Sequence, residues 1–167
     1  RGLDHVKVGV FDIDGILRGK YMARDKFFSA LDKGFGFCDV IVGWDSYDQL
    51  YDNVTVTGWH TGYPDAGVRI LPASCREIPW EDGMLLFLGE FEGNHEAVCP
   101  RAMLRRVLDR ADGMGFDVLA GFEYEFFVFE ETPQSVREKN YQDMTPMQPG
   151  FFGYSILRNT VGSDFYR

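Results

Sequence analysis

From Lys7 to Asp14 the chain alternates between β-branched or aromatic residues and other types, the period-two pattern of a strand. Asp14-Gly15 supplies a tight turn, and Ile16 to Met22 returns as a second strand, so a hairpin is predicted. The spacing turns helical in "ARDKFFSALDKG". There Phe27, Phe28 and Leu31 form an apolar stripe, Asp25 stands where a cap belongs, and Gly34 stands where a C′ glycine belongs. Between Gly34 and Tyr63 the periodicity fades into Gly, Asp, Asn and aromatic residues, with one short strand expected at Val54 to Thr57. "GYPDAGVRILPASCREIPW" is interrupted by Pro64, Pro72 and Pro79, which predicts strand or extended chain rather than helix. "GMLLFLGEF" is strongly apolar and reads as a further strand.

The composition shifts at "EGNHEAVCPR", which places an expected domain boundary between residues 1–97 and 98–167. Beyond it, "CPRAMLRRVLDRADGMG" reads as a helix. Pro100 suits its first turn, Met103, Leu104, Val107, Leu108 and Ala111 share one face, and Gly113 or Gly115 stops it. "FDVLAGFEYEFFVFEE" reads as a long strand. The tail after Thr132 carries Pro133, Pro146 and Pro149 with few periodic apolar residues, so an extended loop is expected there. No internal repeat is visible.

The strand "GFEYEFFVF" carries candidate chemistry. Alternation puts Phe122, Tyr124, Phe126 and Val128 on one face and Glu123 with Glu125 on the other. At about 3.3 Å per residue the two carboxylates sit roughly 7 Å apart. Paired negative charges on a half-buried strand lose hydration and repel unless a cation lies between or beside them. Hard divalent ions take such oxygens, and paired ions can clamp a phosphate. The same spacing also describes ordinary glutamates on a solvent-facing strand edge, so both readings stand on spacing alone.

Bulk composition narrows the classes. The chain has 167 residues, 45% of them hydrophobic, enough for a packed core and too many for global disorder. A net charge of −9 disfavours a nucleic-acid backbone as partner. No apolar run approaches the roughly 20 residues of a membrane helix, and no leader pattern opens the chain, so neither membrane insertion nor export is expected. Cys38, Cys75 and Cys99 are odd in number and widely spaced, as are His5, His60 and His95. That argues against a zinc knuckle or disulfide framework and points to structural thiols in a reduced, cytoplasmic protein.

Asp12 and Asp14 in "VFDIDG" resemble the opening of a haloacid-dehalogenase-like phosphatase, whose first aspartate attacks a phosphoryl group while the second serves as acid/base. Against that, Ile16 follows Gly15, "LRGKYM" continues as strand, Lys20 and Lys26 come early, and no Asp-Asp pair follows. Aspartates that shape a turn are the competing reading.

A wider resemblance covers nearly the whole chain. "GFEYEFFVF" resembles the glutamate-bearing strand of the glutamine synthetase family, and "DIDGILRGKYM" its N-terminal β-grasp hairpin. "YPDAGVRILP" resembles its proline-aspartate segment, and "CPRAMLRRVLDRADGMGF" its first catalytic-domain helix, all in the family's order. The wording is closest to the divergent branch that includes γ-glutamylpolyamine synthetases.

The resemblance implies an α+β chain. A β-grasp-like N-terminal domain at 1–97 would precede the first helix and strand of a glutamine synthetase-type catalytic α/β domain at 98–167. It implies an ATP-dependent ligase that phosphorylates the side-chain carboxylate of glutamate and lets ammonium or an amine displace phosphate. Mg²⁺ or Mn²⁺ would be held by Glu125 near glutamate and by Glu123 near the ATP phosphates. A base for the nucleophile is expected at Asp45, with Asp39 the alternative and Asp65 at the same entrance. The "DGSS" wording of ammonium-using members is missing, so a bulkier amine fits, and Trp44, Tyr47, Tyr51 and Trp59 could line its pocket by cation–π contact or else pack an interface. The family assembles as homo-oligomeric rings with active sites between subunits. Its further metal ligands and phosphate-binding arginines are missing from these residues, so they are expected to be inactive alone. A non-catalytic structural member of the family remains the alternative.

Overall fold

The structure, a computed structural model, describes residues 2–148, 150 and 153–165. The chain divides into two compact units, Arg1–Val118 and Leu119–Arg167.

The first unit is built on a five-stranded sheet in the order β2-β1-β5-β4-β3. The expected hairpin forms as β1 (His5–Phe11) and β2 (Leu17–Ala23), antiparallel in the register Gly9 opposite Gly19. A Cβ on Gly19 would lie 2.5 Å from the Val8 carbonyl oxygen, so the close approach of the two strands requires glycine there. α1 (Arg24–Lys33) follows as expected and lies over one face. It buries Phe27 and Ala30 against the inward residues Val6, Val8 and Val10 of β1, and the Phe27 and Phe87 rings meet at 4.5 Å. Each of the buried Phe and Val side chains contributes on the order of 1.5–3 kcal/mol.

Two details of α1 differ from expectation. The N-cap is Ala23, which makes no side-chain cap, and Asp25 lies inside the first turn, where it acts on the helix dipole instead. Phe28 is 59% exposed and meets the core only through the edge of the Phe27 ring at 5.7 Å, whereas Phe27, Ala30 and Leu31 face the sheet.

β3 (Phe35–Cys38) arises within the stretch that showed no periodicity, and it runs antiparallel to β4 (Asp65–Glu77) with Cys38 opposite Asp65. The strand expected at Val54 to Thr57 does not form, and Thr57 is buried for its hydroxyl contact rather than for a ladder position. β4 continues through Pro72 only because its pairing with β5 (Leu85–Phe91) shifts register between Leu71 and Arg76. Ser74 patches that break: its hydroxyl donates to the Leu71 carbonyl and accepts from the Leu88 N–H at 2.8 Å. β5 is parallel to β1 and antiparallel to β4, which makes the sheet mixed. Lys20 of β2 donates to the Gly36 carbonyl of β3 at 2.9 Å, so the two edge strands approach each other and the sheet is curled.

α2 (Pro100–Gly113) forms as expected but docks differently. Ala102 is fully buried, while the expected stripe of Met103, Leu104, Val107 and Leu108 is between 39% and 60% exposed. The helix is held by charge. Arg101 and Arg105, together with Arg69 of β4, converge on the buried carboxylate of Glu90 in β5. With three guanidiniums around it, that carboxylate is compensated inside the protein.

In the second unit the predicted strand over "FDVLAGFEYEFFVFEE" is not formed. A strand is stable only as part of a ladder, and among the described residues this segment finds one isolated bridge, Phe129 to Pro146. The expected loop contains a short helix, α3 (Pro133–Glu138), started by a capping box between Thr132 and Ser135 with proline in its first turn. Lys139 Nζ, Ser135 Oγ and the Thr145 N–H all donate to Glu131, and they hold its carboxyl down at about 2, Lys139 contributing most. Pro149, expected within the loop, lies outside the described residues. No helix among the described residues is long and apolar enough to cross a membrane.

Candidate functional site

Where β3 ends, the chain turns into a short 3-10 segment, Asp39–Val42, and its first residue is fully buried. One Asp39 oxygen accepts from the Thr57 hydroxyl at 2.8 Å, and the other meets His95 Nε2 at 3.0 Å. The Asp39 N–H donates to the Pro64 carbonyl at 3.0 Å, which fixes the backbone that carries the carboxylate. Thr57 is itself buried, while the His95 side chain keeps 18% of its surface in solvent. Because an ionised carboxylate only accepts, Asp39 assigns the proton of a neutral His95 ring to Nε2 and leaves Nδ1 with a lone pair.

The same end of the sheet carries Asp65, exposed at the first position of β4 and directly across from Cys38. The loop that supplies Thr57 and Pro64 also presents Trp59, which is 82% exposed and packs edge-on against Tyr63 at 5.3 Å. An accessible carboxylate, a histidine backed by a buried carboxylate and an open indole face therefore lie on adjoining segments. Together they suit a cationic ligand that must give up a proton.

Asp45 is placed elsewhere. Its side chain accepts from the Tyr47 and Gln49 N–H groups at 2.8 and 2.9 Å and closes the turn between Trp44 and Leu50. This is the work of an Asx turn. Of the four expected pocket aromatics, Trp44 has one face covered by the Arg18 guanidinium at 4.9 Å, so an internal cation occupies that face. Tyr47 is open, and Tyr51 is partly so. The Tyr51 phenol is pushed up by burial and by the nearby carboxylates of Asp14, Asp45 and Asp12.

Asp12 is structural in this fold. It is fully buried, its Oδ1 accepts from the Asp14 and Ile16 N–H groups, and its Oδ2 pairs with Arg18 Nε at 2.8 Å. The pair pushes the Arg18 guanidinium further toward its charged form. A buried carboxylate with one oxygen committed to a turn and the other to Arg18 is not positioned to attack phosphorus, so the phosphatase reading of Asp12 and Asp14 has no geometric support.

Glu123 and Glu125 are exposed in the second unit on the segment that forms no ladder. Among the described residues no group of three or more His, Cys, Asp or Glu side chains could hold a metal ion, so the two glutamates are part of a donor set at most. The second unit also holds a cleft of about 380 Å³ lined by Phe126, Phe129, Met147, Tyr154 and Asn159 among others.

The family model described as the catalytic domain of glutamine synthetase matches residues 97–162. The Type-1 glutamine synthetase 2 of Dictyostelium discoideum is 46% identical over 163 residues, covering 96% of this chain and 31% of that protein. This chain belongs to the glutamine synthetase family. Other relatives of the family have more specific names. A glutamate–isopropylamine ligase of a Pseudomonas species is 29% identical over 97% of the chain and 36% of that protein. A γ-glutamylethanolamide synthetase of Streptomyces coelicolor is 31% identical over 93% of the chain and 34% of that protein. A solved glutamine synthase homologue has the same fold over 68% of this chain and 28% of its own, with a TM-score of 0.51 at 19% identity. The chain thus spans about a third of the length of these curated relatives, with shares of 31, 36 and 34%.

Sequence reasoning did not single out Thr57 or His95. His95 stands 56 residues from Asp39 in a polar run without periodicity, and no local signal joins the two.

Proposed function

We propose that the intact protein containing this chain is an ATP-dependent glutamate–amine ligase. ATP phosphorylates the side-chain carboxylate of glutamate, and an amine displaces phosphate to leave a γ-glutamyl amide. The observation that carries this reading is the alignment of more than nine-tenths of the chain with two relatives named for joining an amine to glutamate, at 97% and 93% coverage.

In this reading residues 1–97 are a β-grasp-like domain, supported by the order of hairpin, crossing helix and parallel central pair β1/β5. Residues 98–167 begin the catalytic domain. Glu123 would help hold the ion at the ATP phosphates and Glu125 the ion at glutamate. The bound Mg²⁺ or Mn²⁺ would neutralise phosphate charge and orient the transferring group. With only these two glutamates as metal ligands, residues 1–167 have no turnover alone, and activity belongs to a cytoplasmic ring in which active sites lie between subunits.

For the nucleophile, the end of β3 is favoured over the turn at Asp45, whose carboxylate already serves two backbone N–H groups. Asp39 and Asp65 would act there. The test is phosphate release by the intact protein from MgATP and glutamate with ammonium, methylamine, isopropylamine, ethanolamine, putrescine and spermidine in turn. Release that requires both glutamate and an alkylamine establishes the ligase. Release with ammonium alone would move the protein to the glutamine-forming reaction, and no release with any of them would overturn the reading.

A further inference from the structure

We propose that His95 is the proton acceptor for the amine, with Asp39 and Thr57 as the residues that position it. This rests on the ligase reading above and adds to it the group that prepares the nucleophile.

An amine reaches the site as an alkylammonium ion, which has no electron pair to attack with until it loses a proton. Asp39 is poorly suited to take that proton directly. It is fully buried, Thr57 Oγ1 donates to one of its oxygens, and His95 Nε2 holds the other. His95 is the member of this group that reaches solvent, and the Asp39 it holds is tied through its own N–H to Pro64, the residue between Tyr63 and the exposed Asp65. The hydrogen bond at Nε2 leaves the Nδ1 lone pair as the basic position of the neutral ring. The Phe91 ring lies beside the imidazole, with centroids 6.2 Å apart. This is a base oriented by a third group.

The step balances without a further reagent. The N–H bond of the alkylammonium ion breaks, its proton goes to His95 Nδ1, and its electron pair stays on nitrogen. That pair forms the C–N bond to the phosphorylated carboxyl carbon, the C–O bond to phosphate breaks, and phosphate leaves with the electrons of that bond. The surplus proton of the new amide nitrogen goes to the departing phosphate, and His95 releases its own proton to water.

The test compares two nucleophiles in the intact protein, at neutral pH with MgATP and glutamate. Isopropylamine is protonated there and needs a base, whereas hydroxylamine is already neutral. His95→Gln keeps an N–H donor for Asp39 but has no basic nitrogen. It should slow isopropylamine turnover by about 100-fold or more while leaving hydroxylamine turnover near that of the unmodified protein. Equal losses with both nucleophiles would mean a structural role, and no loss with either would mean no role. Both outcomes overturn the proposal while the ligase reading stands. If unmodified protein releases no phosphate with any amine, the ligase reading fails first and this proposal falls with it.

Should the variant not fold, diethyl pyrocarbonate on the unmodified protein gives the same answer. Acylation of His95, located by mass spectrometry, should abolish isopropylamine turnover and spare that of 2,2,2-trifluoroethylamine, which is already neutral at this pH and, unlike hydroxylamine, does not strip the acyl group from imidazole. A His95 that resists the reagent, or whose acylation slows both equally, would overturn the proposal.

Discussion

At the residue scale, buried carboxylates define this chain, and each is compensated by a different set of partners. Asp12 has Arg18 and two backbone N–H groups, Glu90 has three arginines, and Asp39 has a threonine and a histidine. Removing Asp12 would leave Arg18 four-fifths buried with only the exposed Asp48 as a counter-charge and would strip two N–H groups of their acceptor. Breaking a buried pair in this way costs about 3–5 kcal/mol. Asp12→Ala should therefore lower the unfolding free energy by about 3 kcal/mol in urea titration, and a change below about 1 kcal/mol would show that the turn does not depend on it. Glu131 sets a pH dependence of known sign. Its folded pKa is lowered from 4.5 to about 2, so its contribution is present above 4.5 and is lost as pH falls toward 2. Glu131→Gln should thus leave a second unit whose stability varies less between pH 5 and pH 2. Hydrogen exchange at α3, followed across that range in both proteins, reads the difference, and parallel curves would refute it.

At the scale of elements, what was legible in the sequence was what is encoded locally. The hairpin, α1, β5 and α2 each carry their own periodicity and end signals within a dozen or so residues, and each forms where expected. β3 was hidden because "FGFC" is four residues long and follows a glycine-rich start, so its strand character comes from β4 alongside it. The opposite error occurred at "GFEYEFFVF", where alternation is strong but no neighbouring ladder exists among the described residues. Alternation states which faces a strand would have, and only a partner makes it a strand. Asp45 and Asp39 show the same limit at the site: both follow apolar runs, and only tertiary structure reveals that one closes a turn and the other meets His95. For α2, an apolar stripe suggested a core face that the fold places outward. Ala102→Leu should consequently cost about 1–3 kcal/mol by overpacking, whereas Leu104→Ser should change stability by less than about 0.5 kcal/mol. Thermal melts of the two variants of this chain test the orientation, and the reverse ranking would mean that α2 is rotated from the position described.

At the scale of the whole molecule, Glu123 and Glu125 in the second unit are exposed, and among the described residues neither has a cation as partner. The chain carries 26 acidic against 17 basic residues, a balance that suits the recruitment of cations as well as solubility. If Glu123 and Glu125 are ordinary solvent-facing glutamates, substitution should do no harm anywhere. If they serve metal ions, the fold should be indifferent and the reaction should not. The decisive variant replaces both by glutamine, which keeps shape and hydrogen bonding and removes the charge that a hard divalent ion requires. In residues 1–167 the melting temperature should be unchanged. In the intact protein, phosphate release should fall to background and the Mg²⁺ dependence should vanish. A double variant that keeps its metal dependence would assign the ions to other residues, and one that unfolds residues 1–167 would show that the glutamates hold structure.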